Sequence, residues 1–375
     1  MKPCLLVFLI LLSAIPVSQL AFGADDSFRV LRQQLDGYAK VVPGKRFVFP
    51  DDHGIHPDFR IEWWYLTANF KDNKGQDWGL QWTLFRQSMD TKPVLNGWSS
   101  NQLWMAHAAI TTPQGHLHEQ RFSRGGIGQA GVRVATRAQL NQQAGENFAV
   151  WIDDWSWQSK TASPFPSTLS FALGKTKLSV NLTSGSPWVL NGNKGYSQKS
   201  GQGQASYYYS QPHIKVVGTV HHEGQSVALT GEAWLDREWS SQPLSANQQG
   251  WDWFSLHLKS GEALMVYRLR QTDGQHWLSG SWINADGSSE SLGPADISLK
   301  ALGRRKVSAG EQIVELPLRW TIELPNLGKR WDIEALYDQQ WMDTQFPYWE
   351  GVVKVDGGKA GVGYMELTGY PMINK

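Results

Sequence analysis

The residues of this chain with the most chemical potential are carboxylates set beside aromatic rings. Trp234 and Asp236 stand two apart in the run Gly231-Glu232-Ala233-Trp234-Leu235-Asp236-Arg237-Glu238. On a β-strand that spacing puts both on one face, with Ala233, Leu235 and Arg237 on the other. A carboxyl on a dry face resists ionisation, so burial raises its pKa and keeps it protonated, the state a general acid needs. The triplet Asp236-Arg237-Glu238 reads equally as a solvated turn or as an ion pair holding two domains together. Glu62 shares a strand face with Arg60, Trp64 and Leu66. It is expected either to join Asp236 in a carboxyl pair whose pKa values are pushed apart, or to form a buried salt bridge with Arg60 or Arg86.

Other chemistries find less support. His53, His56 and Glu62 supply three metal-ligand types, but they lie in a Pro/Gly/Asp loop without the helical spacing of a metalloprotease, so no metal is expected. His107 lies in an apolar strand at 103–110 and reads as a pocket-lining or core residue. Ser100, Ser200 and Ser210 have no Gly-x-Ser-x-Gly context, and there is neither a phosphate loop nor a dinucleotide fingerprint, so no cofactor is expected.

The elements that must position these residues are strands. Short runs rich in Val, Ile, Thr, Tyr, Phe and Trp are separated by turn clusters such as Asp72-Asn73-Lys74-Gly75. Helical periodicity is confined to residues 27–35, while 135–143 is too polar to carry a core. The chain also resembles itself. Glu62-Trp63-Trp64-Tyr65 followed by Leu84-Phe85-Arg86 has a counterpart in Trp251-Asp252-Trp253-Phe254 followed by Val266-Tyr267-Arg268. The run 231–236 has one in Gly361-Val362-Gly363-Tyr364-Met365-Glu366. Two β units of roughly 130 to 190 residues are the size at which an antiparallel sheet closes on itself. The expectation is an all-β protein of two tandem antiparallel barrels, 24–240 and 241–375, with the boundary in the polar stretch 240–250 around Pro243. The Trp-rich runs 151–157 and 331–349 are expected to pack cores rather than form carbohydrate platforms. The Gly/Ser/Gln stretch 191–210 is expected to act as a flap over the first barrel's mouth.

Across 375 residues, 35 Lys+Arg against 34 Asp+Glu exclude a basic nucleic-acid binder, and 20 Trp point to handling of apolar or ring-shaped surface. Lys2, the apolar run 5–12 and Ala21-Phe22-Gly23 form a secretory signal layout, with cleavage expected after Gly23. The apolar run is too short to span a bilayer, so an exported protein, periplasmic or secreted and not integral to the membrane, is expected. Cys4 is the sole cysteine and would leave with the signal, which excludes disulfides.

Four motifs in order carry a family resemblance: His56-x5-Glu62-Trp63-Trp64-Tyr65; Tyr207-Tyr208-Tyr209-Ser210; Trp234-Leu235-Asp236-Arg237-Glu238-Trp239; and Tyr348-Trp349-Glu350-Gly351 with Gly363-Tyr364-Met365-Glu366. Together they resemble the AttH-like, carotenoid 1,2-hydratase-like group of tandem lipocalin-like proteins, which includes hydratases of isoprenoid C=C bonds and exported bacterial proteins labelled secreted hydrolases. The resemblance implies two lipocalin-like barrels and, in the aromatic-x-Asp motif, a catalytic role for Asp236, with Trp234 where the hydratases have tyrosine. It also implies a small hydrophobic, isoprenoid- or lipid-like ligand, hydrated or isomerised by general acid catalysis with Asp236; Glu62 joins it as a catalytic candidate on its own strand-face reading. Trp64, Trp82, His107, Tyr207, Tyr209, Trp234 and Trp253 are the residues expected around that ligand. The alternative is a non-enzymatic periplasmic carrier, or the partner of a membrane export system for apolar cargo.

Overall fold

The computed structural model describes residues 29–32, 35–135, 147–242 and 244–374. The expected signal peptide, most of the polar 135–143 stretch and Pro243 lie outside the described residues. Within the 27–35 segment, Arg29–Arg32 forms one short helix.

Thirteen strands build the first sheet: β1 (Ile61–Asp72), β2 (Asp77–Ser88), β3 (Gln102–Thr112), β4 (Gly115–Arg124), β5 (Ala130–Arg133), β6 (Ala149–Ile152), β7 (Trp155–Ser159), β8 (Ser167–Leu173), β9 (Thr176–Thr183), β10 (Val189–Leu190), β11 (Tyr196–Gln198), β12 (Ala205–His222) and β13 (Gln225–Ser240). Its order is β4-β3-β2-β1-β13-β12-β9-β8-β7-β6-β5, with β10 and β11 paired to β12. The sheet nearly closes into a barrel. Side chains bridge its gap: Arg121 of β4 forms an ion pair with Asp153 at 3.5 Å, and its guanidinium lies 4.1 Å from the Trp155 ring.

The second unit contains β14 (Gln248–Leu258), β15 (Ala263–Gln271), β16 (Trp277–Ile283), β17 (Ser289–Leu292), β18 (Ser298–Ala301), β19 (Arg305–Ala309), β20 (Gln312–Leu316), β21 (Arg319–Leu324), β22 (Lys329–Ala335), β23 (Trp341–Met342), β24 (Tyr348–Val355), β25 (Gly361–Thr368) and β26 (Met372–Asn374). Its main sheet runs β17-β16-β15-β14-β25-β24-β22-β21-β18 and curls into a half-barrel, while β19, β20 and β26 form a small sheet of their own. The architecture is therefore all-β, two tandem lipocalin-like barrels. The last strand of the first unit ends at Ser240 and the first of the second begins at Gln248.

Turn chemistry sets the hairpins. Between β1 and β2, Asp72 accepts backbone N–H bonds from Lys74 and Gln76, both at 2.8 Å, and Gly75 takes a φ of 77° that other residues adopt at a penalty. Alternation along β1 then divides its side chains. Trp64, Leu66, Ala68 and Phe70 enter the first barrel's core, together with Trp82, Leu84, Trp155 and Trp157. Tyr65 lies on the opposite face and packs against Trp253, Met265, Tyr267 and Val352 of the second unit. The second unit's own core holds Phe254, Val266, Trp331, Trp341 and Trp349. Both Trp-rich runs thus contribute to cores.

The two barrels dock through the outer faces of β1–β3 and β13 on one side and of β14, β15, β24 and β25 on the other. Asn69 Nδ2 donates to the Gly363 carbonyl at 2.9 Å, and His257 Nε2 bonds the Pro212 carbonyl at 2.6 Å. A Cβ added at Gly79 would overlap Val352 and the Tyr364 hydroxyl, so glycine there permits this close approach. Gly79→Ala is expected to destabilise the protein by about 1–3 kcal/mol through overpacking of the seam. Chemical denaturation checks this, and an unchanged midpoint would show that the seam is not tightly packed.

Candidate functional site

The docked faces do not meet everywhere. Between them lies a cavity of about 320 Å³, walled mainly by apolar and aromatic side chains, among them Trp63, Tyr65, Phe85, Tyr208, Trp251 and Trp253. Four carboxyl side chains and one ammonium line the same space: Asp236, Glu238, Glu350, Glu366 and Lys199.

Asp236 lies on β13 directly opposite Tyr65 of β1 and Ser210 of β12. Three donors hold it: Ser210 Oγ at 2.5 Å and Trp234 Nε1 at 2.7 Å on Oδ1, and the Tyr208 hydroxyl at 2.6 Å on Oδ2. Each of these favours the carboxylate, yet burial outweighs them and, with the nearby Glu238 charge, raises the Asp236 pKa to about 7. Tyr208 is itself in contact with Trp253, whose indole N–H reaches its hydroxyl at 3.4 Å.

From the second barrel, Glu350 of β24 and Glu366 of β25 stand opposite one another in register. Burial raises both pKa values: Glu350 well above the usual carboxylate range, helped by the Glu366 charge, and Glu366 to about 7, helped by Asp236 and Glu238. The Tyr65 hydroxyl crosses the seam and donates to Glu350 Oε1 at 2.5 Å. Glu350 Oε2 and His107 Nε2 have no partner of good hydrogen-bond geometry among the described residues. His107 Nδ1 meets the Tyr348 hydroxyl at 2.9 Å, and burial lowers the imidazole pKa to about 3, so the ring is neutral. Lys199 sits 2.8 Å from Glu238. Burial opposes its charge, but Glu238 and Tyr267 outweigh that and raise its pKa.

The structure distributes the expected site residues over three places. Asp236, His107 and Trp253 line the cavity, and Trp234 stands behind Asp236 as a hydrogen-bond donor. Trp64 and Trp82 lie in the first barrel's core. Tyr207 and Tyr209 pack with Trp239, Phe47 and Phe49 on the far side of β12, while the intervening Tyr208 takes the cavity face. Glu62 does not pair with Asp236. It points into the first barrel between Arg86 and Arg237, which hold its pKa well below the usual range against the opposing effect of burial. The salt-bridge alternative is the one realised, and Asp252 repeats it in the second barrel with Arg268 at 2.7 Å and Arg270 at 2.5 Å. The 191–210 stretch meets the seam: Ser197 Oγ lies 3.0 Å from the Tyr267 hydroxyl, and Lys199 reaches the cavity from there. Glu350 and Glu366 were not expected at the site, although both stand in the motifs quoted above.

The fold and the site together define a tandem lipocalin-like protein whose cavity lies between its barrels. The chain belongs to the AttH-like family, whose pattern matches residues 40–370. It is similar to a crystal structure of a protein assigned as an AttH from Nitrosomonas europaea, with 34% identity and a TM-score of 0.73, over 88% of this chain and 99% of that one. It also shares the fold of kievitone hydratase from Nectria haematococca, with 13% identity and a TM-score of 0.59, over 91% and 98% of the two chains. No protein with a curated function matches the sequence. No described helix is long and apolar enough to cross a membrane.

The raised pKa of Asp236 makes stability depend on pH. Below about pH 4 folded and unfolded chains both hold its proton; from about pH 4 to 7 the unfolded chain releases it while the folded chain keeps it, so stability falls, and above about 7 the loss is constant. The stability of Asp236→Asn relative to wild type is therefore expected to rise across that window, by at most on the order of 4 kcal/mol. Denaturation series at several pH values test this, and a difference that does not change with pH would contradict it.

Proposed function

We propose that this protein takes a small hydrophobic, isoprenoid- or lipid-like molecule into the cavity between its barrels and hydrates or isomerises a C=C bond there. One observation carries the proposal: a carboxyl buried on an aromatic cavity wall, where burial raises its pKa to about 7. Protonated Asp236 gives its proton to one alkene carbon, and the neighbouring carbon becomes cationic. Water adds to that carbon and returns a proton to the carboxylate, so the net change is addition of one water; loss of a different proton to Asp236 gives the isomer instead. Facing aromatic rings such as Trp253 stabilise the cation, by roughly 1 to 2 kcal/mol each. Tyr208, Ser210 and Trp234 orient the acid. Kievitone hydratase, a hydratase by name on the same fold, supports this reaction class. Residues 1–23 support an exported setting.

The test is mass spectrometry of small molecules extracted from protein purified from its native host, compared with Asp236→Asn. The expected result is an apolar compound whose mass differs between the two by one water, or by a shifted double bond at equal mass. The same unchanged compound in both would make the protein a carrier and overturn the catalytic reading.

A further inference from the structure

Six acids are buried among the described residues: Asp52, Glu62, Asp236, Glu238, Asp252 and Glu350. Four of them have a cation. Asp52 has Lys45 at 2.9 Å, Glu62 has Arg86 and Arg237, Glu238 has Lys199 at 2.8 Å, and Asp252 has Arg268 and Arg270. Asp236 and Glu350 have no Lys, Arg or His of the described residues within ion-pair distance, nor does the partly exposed Glu366 beside them. All three exceptions line one cavity.

We propose that the positive charge missing from this cluster is supplied by the ligand, and that the cavity is a site for an organic monocation, one positive charge on an apolar body. The inference rests on the reading of the cavity as the ligand site. The cluster spans the seam: Glu350 and Glu366 are register partners, Tyr65 is the register partner of Asp236, and its hydroxyl bonds Glu350. Glu350 Oε2, on a side chain only 1% exposed, has no partner of good hydrogen-bond geometry among the described residues, although the Tyr348 hydroxyl is close enough to act on the carboxyl. The walls are the rings that suit a cation, Trp63, Tyr65, Tyr208, Trp251 and Trp253. The groups that face the cluster supply no free positive charge. Lys199 is held by Glu238 and lies over the Tyr208 and Tyr267 rings at 4.9 and 4.4 Å, His107 is neutral, and the remaining titratable neighbours are tyrosines. Without a ligand, protons offset the carboxyls; a bound cation displaces one. That state, a carboxylate beside an organic cation, is also the one the proposed reaction reaches once Asp236 has given up its proton.

Calorimetric titration at pH 7 of decyltrimethylammonium, decanol and decanoate tests the proposal. The ammonium is expected to bind about tenfold or more tighter than decanol, with decanoate weakest. Its binding is expected to release protons, seen as a heat that differs between phosphate and Tris buffers. Asp236→Asn and Glu350→Gln are each expected to weaken the ammonium by about tenfold while leaving decanol within about twofold, which also reports that the cavity is intact. Decanol or decanoate binding as tightly as the ammonium overturns the cation site and leaves the hydrophobic cavity standing. Binding of none of the three overturns the cavity reading as well.

Discussion

Everything in this molecule depends on the docking of two barrels through faces that would otherwise be wetted. A lone barrel needs only one apolar face, turned inward. Here the outer face of β1, β2 and β13 is covered as well, by the outer face of β14, β15, β24 and β25. Covering removes water from Asp236 and Glu350 and part of it from Glu366, and in a dry setting the neutral form of a carboxyl wins even against three hydrogen-bond donors. Duplication thus has a physical consequence: the site belongs to neither barrel, and its acids have their unusual protonation only while both are present.

The same principle, used with the opposite sign, stabilises the barrels themselves. Glu62 opposite Arg86, and Asp252 opposite Arg268, are register pairs across a hairpin, each facing its own barrel's interior. Guanidinium groups lie against both of these buried carboxylates. Removing one partner of such a cluster typically costs several kcal/mol because the other charge is left buried and alone. The molecule therefore holds two populations of buried acid, one matched internally and one left unmatched around a cavity.

Much of the fold was legible in the sequence, because strand-length apolar runs and Gly/Asn/Asp turns carry local physics. The shared face of Trp234 and Asp236 followed from alternation alone. What failed was parity between strands. Glu62 and Asp236 lie on adjacent strands, but Glu62 pairs with Trp239 and Asp236 with Tyr65, which sends the two carboxyls to opposite faces. Register is a tertiary property, and a shift of one residue reverses every face. The three consecutive tyrosines at 207–209 offer no alternation to read, so Tyr208 could not be told from its neighbours. One signal was available: Trp63-Trp64-Tyr65-Leu66 is apolar without alternation, as expected of a strand buried on both sides. It points to a covered outer face, and hence to Glu350 and Glu366 opposite it.

The central claim is that a seam carboxyl, Asp236, is protonated at neutral pH. Infrared spectroscopy reads this directly, because a protonated carboxyl has a carbonyl stretch that a carboxylate lacks. The account predicts such absorption in the wild-type protein just below pH 7, with part of its intensity lost as the pH is raised through about 7, part retained by Glu350, and the whole reduced in Asp236→Asn. A spectrum showing only carboxylates at that pH, identical in the two proteins, would contradict it.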